Sequence, residues 1–204
     1  MHDILYYQNY MLYVWNSIDM NLNVNWRARI MKIRLSSCVQ LLAAILLLAP
    51  GCGDVNATAG EVLIDGVTLQ WNTDASEIEV TVSAPTTGWI ALGIEPLAVM
   101  KDADIIIGYV SDGEVFLRDD WGDGYTSHKS DEELGGTDDI TLVSGSEEDG
   151  ITEISFTRLL AADDVYDREL ETGITYNILL AYGRDDADNF QGHHAWAGSV
   201  SIEI

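Results

Sequence analysis

The 204-residue sequence predicts an all-β fold, a sandwich or barrel of about ten short strands. From Glu61 onward, apolar and polar residues alternate in short runs separated by Gly, Asp, Asn and Ser, which is the period of strands with one face buried. Asp65-Gly66 and Asp112-Gly113 each fall between two such runs, and both residue types tolerate the positive φ of a tight hairpin. The runs place strands near 61–65, 67–73, 77–84, 88–94, 103–110, 113–118, 139–144, 151–157, 174–182 and 196–204. Only 158–171, RLLAADDVYDRELE, reads as a helical turn or irregular segment, and nothing repeats at a fixed period. A stretch of roughly 150 residues can bury one core without disulfides, so 61–204 is expected to be a single domain.

The front of the chain has a different character. From Met31, MKIRLSSCVQLLAAILLLAPGCGD sets Lys32 and Arg34 ahead of an apolar run, Val39 to Ala49, that ends in small residues. This is the pattern of a bacterial-type secretion signal, too short for a membrane span. Its ending, Ala49-Pro50-Gly51-Cys52, resembles a lipobox, so Cys52 is expected to become a lipidated N-terminus; simple secretion to the periplasm or medium is the other outcome. Residues 1–30 show neither strand nor helix periodicity and read as translated upstream sequence before a start at Met31, or else as a long leading part of the signal. Residues 53–60 form a short linker. Both cysteines, Cys38 and Cys52, lie within 31–52, which leaves the domain without a disulfide despite an oxidising compartment. Two of the acids and four of the bases precede Gly53, so the remainder carries 32 acidic against 6 basic side chains. A field of that sign repels phosphate and excludes nucleic acid as a partner.

Two long polar connections interrupt the strands: 119–138, DDWGDGYTSHKSDEELGGTD, and 183–195, GRDDADNFQGHHA. Long loops in a compact β domain commonly carry function. His128, His193 and His194, the three histidines after the signal, all lie in them, and Met100 is the one methionine after the signal. The first loop carries Asp119, Asp120, Asp123, His128 and Asp131, a possible calcium loop whose oxygens lack the regular spacing of an EF-hand. Read alone, His193-His194 also suits a divalent metal, and Met100 suits a gap filler against aromatic rings. The sequence lacks Gly-x-Ser-x-Gly, HExxH and a phosphate loop, and no enzymatic centre is expected.

The succession GWIALGI (88–94), Met100 followed by DADIIIGYV (102–110), DDWGDGYTSHKSDEELGG (119–136), ISFTRLL (154–160) and ILLAYG (178–183) before DNFQGHH (188–194) resembles the DOMON family over essentially all of 61–204. The resemblance implies an immunoglobulin-like β-sandwich. Some members resemble haem-b cytochromes, in which a methionine before the "AD" strand and a histidine before the last strand hold the iron. Met100 matches the first position and His193 or His194 the second: a spacing of three from Phe190 selects His193, one of four before Gly198 selects His194, and one of five before Gly198 returns His193, the residue expected to ligate. Met/His ligation raises the haem potential and suits electron transfer. The expectation is therefore an extracytoplasmic, monomeric electron-transfer module serving a separate redox protein, touching the membrane only through a lipid anchor. Other members resemble modules for sugars or other small ligands, for which Trp121, Tyr125 and Trp196 would line the pocket and supply stacking faces.

Overall fold

A computed structural model describes residues 59–204. The upstream segment, the signal, Cys52 and most of the linker lie outside the described residues. Eleven strands follow in order: β1 (Ala59–Ile64), β2 (Val67–Thr73), β3 (Glu77–Ala84), β4 (Ile90–Ile94), β5 (Asp104–Ser111), β6 (Glu114–Trp121), β7 (Lys129–Ser130), β8 (Thr141–Glu148), β9 (Ile151–Leu159), β10 (Thr175–Tyr182) and β11 (Trp196–Glu203), with one short helix α1 (Asp131–Leu134) after β7. Their pairing makes two antiparallel sheets, β1-β2-β3-β9-β8 and β11-β10-β4-β5-β6-β7. The expected sandwich is what forms.

The core fills the space between the sheets. Val67, Leu69, Ile78, Val80, Val82, Ile154 and Phe156 of the five-stranded sheet meet Ile90, Leu92, Ile94, Ile106, Ile178 and Leu180 of the six-stranded one. Alternation in the sequence becomes alternation of face because successive side chains on a strand point to opposite sides. The Asp-Gly hairpins form as expected, with φ of 49° and 89° at Asp65 and Gly66 and 53° and 78° at Asp112 and Gly113. Asp149-Gly150 makes a third such turn, at 53° and 79°.

Two segments differ from the sequence reading. The sixth strand runs on to Trp121, so Asp119 and Asp120 are strand residues and not loop residues. A short helix forms at Asp131–Leu134, inside the expected 119–138 loop, where the Ser130 hydroxyl accepts from the Glu133 N–H at 3.3 Å and Gly135 ends the turn at φ 98°; residues 160–174 are irregular, one of the two forms expected there. Among the described residues, no helix is long and apolar enough to cross a membrane.

Candidate functional site

The six-stranded sheet has two unlike faces. Register aligns Ala197, Ala181, Ala91 and Ile107 in one row across β11, β10, β4 and β5, and Ser199, Leu179, Gly93 and Ile105 in the next. These side chains alternate with the core set and so lie on the outer face. Alanine and glycine in the central strands make this face a shallow apolar trough, flanked by the buried Ile105 and Ile107. A Cβ at Gly93 would meet nothing nearer than Leu179 Cβ at 3.4 Å, Ile105 Cγ1 at 3.5 Å and Ala103 Cβ at 3.6 Å. Packing within the protein does not require glycine there. A buried mid-strand glycine whose Cβ position is in ordinary contact only is a place where another group can approach the backbone closely.

Met100 lies at one end of this face, in the connection between Ile94 of β4 and Asp104 of β5. That turn is tightly held. Leu97 N–H donates to Lys101 O at 2.8 Å, Ala103 N–H to Met100 O at 3.0 Å, and Asp102 N–H and Gly122 N–H bind the neighbouring turn through Gly122 O and Ala103 O at 2.8 Å each. Glu95, Val99 and Asp102 adopt φ of 47°, 58° and 58°. For Val99, a β-branched residue, the left-handed region is a strained conformation that the surrounding bonds must enforce. The strain falls on the residue next to the candidate ligand.

The histidines lie at the opposite end. Tyr182 pairs with Ile90 and Ile178 with Ile94, so the connection that leaves β10 after Tyr182 starts from the end of the sheet farthest from Met100. Its path is fixed by Trp89 N–H to Ala187 O at 3.2 Å, Thr86 Oγ1 to Gly183 O at 2.9 Å, and Ser111 Oγ to Asp188 Oδ2 at 2.8 Å. Phe190 packs edge-on to Tyr109 at 5.0 Å, beneath the Arg118 guanidinium at 4.4 Å. His193 and His194 are exposed, with ring centroids 4.4 Å apart. Nδ1 of His193 lies 3.0 Å from the carbonyl oxygen of His194. A proton on Nδ1 donated to that carbonyl leaves the Nε2 lone pair free, the arrangement by which proteins orient a ligating imidazole.

The remaining expected site residues disperse. Trp121 sits edge-on to Tyr166 at 6.1 Å with Arg168 over its ring at 5.0 Å, on the inner side of β6. Trp196 stacks on Tyr182 at 5.8 Å and packs against the core. Tyr125 is 60% exposed and touches the Met100 turn through its carbonyl, which accepts from Met100 N–H at 3.4 Å. The three aromatics therefore do not surround one cavity. The acidic stretch divides as well. Asp120 faces outward to Arg118 and His128; Asp123, on an exposed turn, accepts from Ser127 Oγ at 2.6 Å and pairs with Lys129 at 3.1 Å; Asp119 and Asp131 are buried.

The sequence reading passed over Gly93, Ala91 and Ala181. Their signal is present in IALGI, where the positions alternating with Ile90, Leu92 and Ile94 are small, whereas a solvent-facing strand would carry polar residues.

A family model for the DOMON domain matches residues 64–183. DBH-like monooxygenase protein 2 of Mus musculus is 31% identical over 142 residues, 67% of this chain and 22% of its own length, and DBH-like monooxygenase protein 1 of Homo sapiens is 30% identical over 138 residues, with the same two coverages. The chain thus spans about a fifth of these relatives. Among solved structures, the cytochrome domain of Myriococcum thermophilum cellobiose dehydrogenase superposes with a TM-score of 0.52 at 16% identity, over 74% of this chain and 82% of that one. The cytochrome b domain of pyranose dehydrogenase from Coprinopsis cinerea gives 0.50 at 13%, over 66% and 76%. At these identities the likeness is one of fold. With more than half of its residues inside the family match, the chain belongs to the DOMON domain family.

Proposed function

We propose that the domain is a haem-b-binding electron-transfer module, with Met100 and His193 as the axial ligands and the outer trough of the six-stranded sheet as the seat of the ring. The observation that carries this reading is topological: the thioether and the imidazoles belong to turns at opposite ends of one apolar face. A group bound between these turns, over Gly93 and Ala91, would be held by Met100 from one end of the face and by His193 from the other. The donor set suits the group, since a soft thioether opposite an imidazole raises the reduction potential. The lack of a side chain at Gly93, between the apolar Leu179 and Ile105, suits it too. Bound there, haem supplies a one-electron couple; the chain's own residues orient the ligands and hold the ring against the sheet.

On this reading the domain is not itself an enzyme. It works outside the cytoplasm, monomeric, anchored through Cys52 or secreted, and exchanges electrons with a separate redox protein. The acidic surface suits such a role. Burial and the carboxylates of Asp188, Asp186 and Asp185 raise the pKa of Glu147, which places a concentration of negative charge beside the histidine turn. A basic partner would be steered there, with an on-rate that falls as salt rises.

The test is an absorption spectrum of the full chain supplied with haem. A low-spin spectrum with sharp reduced bands, lost on replacing both His193 and His194 by alanine, is expected. A colourless protein, or a spectrum indifferent to the double change, contradicts the proposal.

A further inference from the structure

We propose that Asp119, Asp131 and Asp167 form a binding site for a hard divalent cation, calcium above all, with Asp139 beside them. One carboxylate oxygen from each of the first three lies within 4.8 Å of the others, and the residues are 1%, 1% and 8% exposed. They come from three separate segments: Asp119 from the inner face of β6, Asp131 from the first turn of α1, and Asp167 from the connection between β9 and β10. The group is independent of the haem reading and shares no residue with it.

The decisive feature is what these carboxylates lack. Both oxygens of Asp119 and both of Asp131 are buried without a hydrogen-bond partner, as are both oxygens of Asp139 and Oδ1 of Asp167. Buried carboxylates without donors are costly and call for a counter-charge. The nearby guanidinium is already engaged: Arg158 pairs with Asp104 and donates to Leu159 O at 3.2 Å and Arg168 O at 2.9 Å. Asp167 has one oxygen occupied, Oδ2 accepting from the N–H groups of Asp163 and Asp164 at 2.9 and 2.8 Å, and this leaves Oδ1 turned to the cluster.

A cation or protons must balance the charge. A proton shared between Asp119 and Asp139 would satisfy that pair and leave Asp131 and Asp167 facing each other. A divalent ion satisfies all of them at once. An all-oxygen donor set selects calcium or magnesium over softer metals. Calcium, with oxygens at about 2.3–2.6 Å and tolerant geometry, suits carboxylates gathered from three segments, whereas magnesium demands a near-ideal octahedron. Of the acids in the 119–131 stretch that could suggest a calcium loop, Asp120 and Asp123 are committed elsewhere, to Arg118 with His128 and to Ser127 with Lys129.

The experiment is thermal unfolding of the full chain without added haem, stripped with EGTA and titrated with CaCl2, alongside native mass spectrometry. The expected result is a saturable rise in the midpoint and a one-to-one calcium adduct. Asp119→Asn should melt higher than the stripped wild type, because it removes buried repulsion, yet should respond to calcium weakly or not at all. A surface control, Glu148→Gln, should respond like wild type. No adduct and no shift at millimolar calcium would overturn the site in favour of protonated carboxylates, as would equal shifts in Asp119→Asn and Glu148→Gln, which signify screening of surface charge. If Asp119→Asn does not fold, the adduct and the shift in the wild type decide alone.

Discussion

The two faces of the six-stranded sheet differ in residue size: large apolar residues fill the inner face, while small ones alternate with large ones on the outer face. The inner face presents Ile90, Leu92, Ile94, Ile106, Ile178 and Leu180 to a second sheet that fills the space against them. The outer face presents Ala91, Gly93, Ala181 and Ala197 beside Leu179, Ile105 and Ile107, and among the described residues no second sheet meets them. On the inner face residue size is set by packing within the protein, and removal of atoms should cost stability. On the proposed reading, size on the outer face is set by the ring it must admit, and addition of atoms should cost binding.

The largest effect on stability is expected on the inner face: Ile106→Ala, at a position 2% exposed, should lower unfolding free energy by about 2–5 kcal/mol in a denaturant titration. At the end of the outer face, His193→Ala should weaken haem binding by at least about 100-fold, since even the partners of a metal ligand are worth about 10- to 100-fold; His194→Ala should change a haem titration little. Met100→Ala should retain the haem while spectroelectrochemistry shows the potential falling by on the order of 0.1 V, because the soft ligand favours the ferrous state. The smallest effect concerns the buried acids. Asp131 has its folded pKa raised to about 7 from an ordinary 3.8, so in cation-free protein its ionisation opposes folding. The penalty is absent below the ordinary value, grows as pH rises toward 7 and is complete above it. The groups facing it are Asp104, Asp164, Asp167 and Asp120, with Asp119 within 4.8 Å, all negative when ionised. Asp131→Asn should therefore raise the midpoint of EGTA-treated protein by on the order of a few degrees at pH 8 and leave it unchanged near pH 3.

What could be read from the sequence divides along physical lines. Strand positions, hairpins and the sandwich followed from local alternation and Asp-Gly pairs, which act within a few residues. The two candidate ligands came from the family resemblance, which matches Met100 and His193 or His194 to its ligand positions; residue type alone suits a gap filler and a divalent-metal site. The trough escaped notice because its signal is an absence of side chain: Ala91 and Gly93 acquire meaning only when register sets them beside Ala181 and Leu179. The aspartate cluster was half visible. Asp119 and Asp131 stood in a stretch already singled out, but Asp167 comes from a segment brought against β6 only by closure of the sandwich. The aromatics Trp121 and Trp196 looked available in the sequence because exposure is not encoded locally; in the fold their rings are covered by Arg168 with Tyr166 and by Tyr182.

The claim that the outer face seats haem is tested most directly by filling it. Gly93→Leu adds a side chain whose Cβ has room against Leu179 and Ile105, so the sheet should keep its far-UV circular dichroism and unfolding midpoint while the trough is blocked. A haem titration should show one equivalent bound tightly by the wild type and binding weakened by about tenfold or more in Gly93→Leu, an overpacking cost of roughly 1–3 kcal/mol expressed as lost affinity. Equal affinity in the two folded proteins would contradict the account and place any haem elsewhere on the domain.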